Sequence, residues 1–245
     1  MSARYLSRVM LRRTPAIDAL AEQLLPEESG PRSHASHRLV WSLFAGNPSK
    51  KRDFLFRELA PGKGYTSGCA GFLVLSAGQP GLDHPLLEVE TKPFAPHLIA
   101  GQLLGFSLRA NPVRQTGANP KFGITKTTRH DVVMNALNAL PQEQRAKARP
   151  EIIHREGRFW LEAQALRGGF ALLPFDDDDV SALRIDGYDQ LRFPRLGKRG
   201  SISVLEFDGL LRVTDPELFL SKLSAGFGRA RAFGCGLMLI RRATS

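Results

Sequence analysis

The chain has 245 residues, room for one large domain or two smaller ones, and its 42% apolar content excludes a disordered chain. Its 34 Lys and Arg against 24 Asp and Glu leave a formal charge of +10, which points to a polyanionic partner, nucleic acid ahead of an anionic membrane surface. Two distant cysteines, Cys69 and Cys235, exclude a disulfide framework or a Cys-rich zinc site. Arginines break every apolar stretch of "MSARYLSRVMLRRTP", so no signal-peptide core is expected; no run approaches membrane-span length, and the expected location is the cytoplasm.

In chain order, "RYLSRVMLR" (4–12) alternates and predicts a strand. "SHASHRLVWSLFAGN" (33–47) spaces Leu39, Val40, Leu43 and Phe44 as a helix does, with serines to cap it and Gly46 to stop it. "RDFLFREL" (52–59) and "GCAGFLVLSA" (68–77) read as strands, and the proline-bearing 79–97 reads as irregular chain near a domain linker. A second cycle follows: a strand in 101–115 ending at Asn111-Pro112, a basic loop over 116–128, and a helix over 129–141. Strands are expected at 157–166, 180–195 and 201–214. A helix with Asp215 as cap and Pro216 at its first position then leads to a last strand at 235–242. The order predicts an α+β protein of two tandem ferredoxin-like (RRM-like) domains with mainly antiparallel sheets, residues 1–97 and 98–245, the first lacking a clear second helix.

"GFGRARAFGCG" (226–236) fails as a nucleotide loop. It matches no Walker pattern, has Arg231 where a dinucleotide fingerprint needs glycine, and follows a helix rather than a strand. It reads as a helix-to-strand connection whose glycines permit tight turns, with Arg229 and Arg231 on its exposed side. His37 falls in the first turn of the expected helix, where the positive helix end favours neutral imidazole and attracts phosphate. Read alone, the residue is either a solvated or capping histidine or a general base beside a phosphate. His34 makes an H-x-x-H pair with it, but no third metal ligand is evident, so no metal or other cofactor is expected. "DDDD" (176–179) reads as a solvated turn.

The glycine pattern G-φ-G-x5-G-φ-G, "YLSRV", "HRLVWSLF" with "RDFLF", "FSLRANP" and "VLEFDGLLRVTDPELF" stand in one order over nearly the whole chain. This ordered set resembles the CasE family, the CRISPR repeat-RNA endoribonucleases of type I-E Cascade. The resemblance implies metal-independent cleavage of CRISPR precursor RNA at the base of the repeat stem-loop, leaving 2′,3′-cyclic phosphate and 5′-OH ends. It also implies retention of the product within Cascade, so the partners would be the repeat stem-loop RNA and other Cascade subunits, and no membrane. It places His37 as the catalytic histidine. Some relatives carry tyrosine where this chain has His34, which leaves open whether His34 assists catalysis or contacts RNA. Tyr5, on the first strand, is a candidate for orienting the scissile phosphate or a packed aromatic. Two acid-free stretches supply phosphate-binding candidates: Arg114, Lys121, Lys126 and Arg129 in 113–129, and Arg192, Arg195, Lys198 and Arg199 in 191–201. Arg109 is a further RNA-binding candidate, its alternative an inward structural role. Two other readings are a non-catalytic RNA-binding subunit of the same system and, more distantly, a basic phosphoesterase.

Overall fold

The computed structural model describes residues 3–44, 53–59, 71–116, 128–173, 183–195 and 198–243, with side chains outside 193–199. The chain divides into two compact units. The first is Met1–His97 with Leu191–Ser201 and Ala230–Leu237; the second is Leu98–Gln190 with Ile202–Arg229 and Met238–Ser245.

In the first unit, β1 (Tyr5–Leu11) leads through the short helices α1 (Pro15–Ala19) and α2 (Ala21–Leu24) into α3 (Ser29–Ser42), then β2 (Phe54–Leu59), β3 (Gly71–Ser76) and β4 (Leu87–Pro93). The sheet runs β2-β3-β1-β4 with every pair antiparallel, the ferredoxin-like order, and residues 77–86 hold no second helix. Alternation sorts the faces. Ser7, Val9 and Leu11 of β1 are buried while Arg8 is exposed. α3 lays Ala35, Leu39, Val40 and the following Leu43 over Val9, Phe54, Phe56, Phe72, Val74 and Leu87. Each large apolar side chain so buried contributes about 1.5–3 kcal/mol.

Two expectations need correcting here. α3 begins at Ser29, not among the serines before His37. Gly30 and Pro31 look like breakers, but a proline in the first turn gives up only an N–H that would have no helical partner, and its fixed φ suits a helix start. The segment 79–97 is not irregular throughout, since it contains β4. Leu87, Val89 and Thr91 alternate with Glu88, Glu90 and Lys92, a strand pattern obscured by flanking prolines that an edge strand tolerates at its end.

The second unit begins with β5 (Leu103–Ala110), broken at Asn111-Pro112, followed by β6 (Val113–Thr116) and β7 (Thr128–Asp131). Helices α4 (Val132–Asn138) and α5 (Gln142–Ala165) come next, then β8 (Phe170–Leu172), β9 (Leu183–Arg195), β10 (Lys198–Val213), α6 (Pro216–Ala225) and β11 (Met238–Arg242), with the adjoining ends of β9 and β10, Leu191–Ser201, counted in the first unit. Its main sheet runs β11-β5-β10-β8, with β9 paired to β10, while β6 and β7 form a separate two-stranded ribbon. Asp215 caps α6 through its carboxylate, which accepts from Leu218 N–H at 2.9 Å, and Pro216 opens the helix as expected.

The strand expected at 157–166 is instead the C-terminal half of α5. Its buried residues, Gly157, Trp160, Leu161 and Ala165, recur at helical spacing, and Phe159, which made the segment look like an aromatic strand, is 51% exposed. Gly157 lets the sheet approach, because a β-carbon there would lie 3.1 Å from Ile185 and 3.2 Å from Leu205. β6 and β7 flank the basic loop expected over 116–128, whose residues 117–127 lie outside the described residues, and the basic stretch 191–201 is carried by the ends of β9 and β10. The helix expected from residue 129 starts at Val132, because Asp131 ends β7 and caps α4.

Candidate functional site

In the first unit, the site forms where α3, β2 and a 3-10 turn at Arg231–Phe233 meet. His34 and His37 lie three residues apart on α3 and so share a face. His34 is exposed, with its ring edge-on to Phe233 at 5.2 Å between centroids. His37 is half-buried, its ring 5.9 Å from Phe54, 6.0 Å from Trp41 and 6.2 Å from Phe56, and its Nε2 atom is shielded from solvent. Because α3 starts at Ser29, His37 sits in the third turn, not the first. The helix-end field decays within a turn, so the expectation that this field acts on His37 does not hold. Tyr5 occupies the row Tyr5–Ser76–Phe54 across β1, β3 and β2, on the face that α3 covers, and is half-buried.

Two polar devices hold α3, one to β2 and one to the connection between β3 and β4. Near its start, the Arg32 guanidinium pairs with Glu58 of β2 at 2.5 Å, and Ser36 Oγ donates to the other oxygen of that carboxylate at 3.3 Å. At its end, the Leu86 N–H donates to His84 Nδ1 at 3.2 Å, which assigns the imidazole proton to Nε2, 2.9 Å from Ser42 Oγ. Ser42 in turn donates to the Leu39 carbonyl at 2.6 Å. Burial first, and the Arg12 charge second, hold the His84 pKa below its ordinary 6.5 and keep it neutral.

The glycine-rich stretch is a backbone scaffold. Gly228 has φ +65°, and a β-carbon there would meet the Asn111 carbonyl oxygen at 2.9 Å. The "LRANP" and glycine motifs, more than a hundred residues apart in sequence, thus touch within the second unit, where Asn111 also bridges to Arg229. In the first unit, Gly234 has φ +74° and turns the chain against Phe56, which sets Phe233 beside His34.

In the second unit, a hydrogen-bonded cluster sits at the base of the β6–β7 ribbon. Asp131 Oδ1 accepts from Met134 N–H at 2.7 Å and from the Tyr188 hydroxyl at 3.1 Å, and that hydroxyl also lies 3.3 Å from Ser203 Oγ. Asn111 Nδ2 donates to the Ser203 carbonyl at 2.6 Å, and the Arg149 guanidinium lies over the Tyr188 ring at 5.8 Å. Burial, reinforced by the Asp131 carboxylate and opposed by Ser203, pushes the Tyr188 pKa up to about 12, so the hydroxyl stays protonated.

The basic candidates separate by environment. Arg109 forms a cross-strand ion pair with Glu206 at 3.2 Å, which favours the structural role over phosphate binding. Arg114 and Arg129 are exposed on the ribbon but on opposite faces: Arg114 stands opposite His130, and Arg129 opposite Gln115. Arg192 and Arg229 are exposed and Arg231 is half-buried. Lys121 and Lys126, and the side chains of Arg195, Lys198 and Arg199, lie outside the described residues, as does "DDDD" at 176–179. The sequence reading missed Phe233, Glu58, Tyr188, Asp131 and Arg149. Only Asp131 carried a local signal, as an acidic residue directly before an apolar helical run.

The architecture is that of an α+β protein with two antiparallel ferredoxin-like sheets, carrying a helix that presents paired imidazoles. A family model described as CRISPR associated protein matches residues 4–242, and the chain belongs to that family, with relatives of the CasE kind. The CRISPR-associated endoribonuclease Cse3 of Thermus thermophilus is 31% identical over 153 residues, spanning 61% of this chain and 60% of that protein. The CRISPR system Cascade subunit CasE of Escherichia coli K12 is 28% identical over 202 residues, spanning 82% of this chain and 88% of the relative. Among solved structures, CRISPR endoribonuclease Cse3 bound to 19 nt RNA matches with a TM-score of 0.66 at 25% identity, covering 97% of this chain and 99% of that one.

Proposed function

We propose that this protein is a metal-independent endoribonuclease that cuts CRISPR precursor RNA within the repeat, at the base of its stem-loop, and keeps the product as a subunit of Cascade. The observation that carries this reading is the His34–His37 pair on one face of α3, in a chain of +10 charge whose relatives are named as CRISPR endoribonucleases and Cascade subunits. In the reaction, the ribose 2′-oxygen attacks the adjacent phosphorus and loses its proton to a base. The phosphorus–5′-oxygen bond breaks, and an acid protonates the leaving oxygen. The products are a 2′,3′-cyclic phosphate and a 5′-OH. Two imidazoles one helical turn apart supply both proton transfers without a metal, His37 as base or acid and His34 as its partner, with Tyr5 orienting the phosphate. Arg114, Arg129, Arg192, Arg229 and Arg231, with the basic residues outside the description, hold the RNA backbone.

One observation favours a second reading, a repeat-RNA-binding subunit that does not cut: the His37 Nε2 is shielded from solvent among aromatic rings. Incubation with the cognate repeat RNA in EDTA separates the two. Cutting in EDTA, abolished by a 2′-deoxy substitution at the scissile ribose while binding persists, is the expected result. Tight binding without cutting would establish the second reading, and cutting of the deoxy substrate would overturn the proposed nucleophile.

A further inference from the structure

The β6–β7 ribbon is attached weakly by its own strands. Each has four described residues, and the pair stands apart from the main sheet of the second unit. An isolated two-stranded ribbon is marginal in water, so its direction depends on how its two chain ends are fixed. At the β6 end, Asn111 bonds the Ser203 carbonyl, and the Pro112 carbonyl accepts from Val132 N–H at 3.1 Å. At the β7 end, Asp131 does three things: it terminates the strand, caps α4 and receives the Tyr188 hydroxyl from β9. Its second oxygen, Oδ2, is buried and has no hydrogen-bond partner among the described residues, so Oδ1 alone carries the link. Ser203 of β10 completes the bridge, and Arg149 of α5 covers the tyrosine ring.

We propose that Tyr188 is a positioning residue for RNA, its hydroxyl latching the base of the β6–β7 ribbon to β9 and β10 through Asp131 and Ser203. The inference rests on the RNA-processing reading above. The ribbon carries Arg114 and His130 on one face and Arg129 on the other, so a swing of its base changes which cations meet a phosphate backbone. The latch belongs to the second unit and the imidazoles of α3 to the first, so its loss is expected to weaken RNA capture while leaving the chemical step largely intact. A tyrosine serving only the fold would lower stability and leave capture unchanged.

The test uses the full chain and repeat stem-loop RNA in single-turnover cleavage. The half-saturating enzyme concentration, the maximal rate and the melting temperature are measured for wild type, Tyr188→Phe, Ser203→Ala and Asp131→Asn. Tyr188→Phe removes the hydroxyl's links to Asp131 and Ser203 and is expected to raise the half-saturating concentration about threefold to tenfold, with the maximal rate changed by less than about twofold. Asp131→Asn keeps an acceptor at Oδ1 and should show a smaller rise than Tyr188→Phe. Ser203→Ala should shift capture in the same direction, and it carries the test if Tyr188→Phe fails to fold. Unchanged capture in both Tyr188→Phe and Ser203→Ala, whatever their melting temperatures, overturns the latch. A wild type that neither binds nor cuts the RNA overturns the functional reading instead.

Discussion

The two candidate regions are built from opposite materials. Around α3 of the first unit, rings do the positioning: Phe233 stands against His34, and Trp41, Phe54 and Phe56 surround His37. At the ribbon base of the second unit, hydrogen bonds among Asn111, Asp131, Tyr188 and Ser203 do it, with Gly228 admitting a backbone carbonyl. Ring packing is less directional than hydrogen bonding and tolerates small shifts, but it desolvates what it encloses. Hydrogen bonds are directional and fix angles, but they fail abruptly when one partner is lost. The first arrangement suits an imidazole whose protonation matters, and the second suits an arm whose direction matters. Substitutions in the two regions should therefore act on different observables.

The largest expected effect sharpens this division. His37→Ala should reduce the single-turnover cleavage rate by about 10²–10⁴-fold, the range for a lost general acid or base, with RNA affinity nearly unchanged. His34→Ala should do the same if the exposed ring is the second proton carrier. Parallel losses in both variants support the pair. Near-full activity of His37→Ala with a collapsed rate in His34→Ala would leave the shielded ring a packing role and move the chemistry to the exposed one.

Next in size is a backbone test of the second region. Gly228→Ala forces a β-carbon to within 2.9 Å of the Asn111 carbonyl oxygen at φ +65°, and backbone cannot yield as a side chain can. A loss of about 1–3 kcal/mol in unfolding free energy is expected, read from urea denaturation. An unchanged midpoint would show that the Asn111 carbonyl does not constrain this position. Ala230, also left-handed at φ +55° but not glycine, shows that this stretch is held in its path by its surroundings rather than by glycine content alone.

Much of this was legible in the chain, for identifiable reasons. β1, α6 and β11 declared themselves because local pattern and tertiary role agree: alternation in Tyr5–Leu11, and Asp215-Pro216 opening a helix. α5 was misread because Phe159 and Trp160 have strand propensity, while burial follows the helical spacing of Gly157, Trp160, Leu161 and Ala165. The start of α3 was misplaced because Gly30 and Pro31 look like a stop, although proline is at home in a first turn. His34 and His37 were found as residues, but not their surroundings, since Phe233 arrives from almost two hundred residues away. Tyr188 and Asp131 are separated by 57 residues and Arg109 and Glu206 by 97, and no local signal announces either pair.

The smallest effect tests how the first region is anchored at the far end of α3. His84 is held neutral, its folded pKa lowered below 6.5 by burial and by Arg12, while in the unfolded chain it titrates near 6.5. Above that pH both states carry a neutral imidazole, and the bonds to Ser42 and Leu86 N–H contribute fully. As pH falls below 6.5 the unfolded chain takes up the proton first, so this contribution declines until the folded ring is protonated as well. His84→Gln abolishes that titration. The stability gap between wild type and His84→Gln, measured by urea denaturation, should therefore be widest near pH 7.5 and narrow steadily toward pH 5. No such narrowing is expected for Gly228→Ala, whose clash involves no titrating group. A constant gap for His84→Gln would mean that the imidazole gains nothing from staying neutral, and would leave the Arg32–Glu58–Ser36 contacts and ring packing to hold α3.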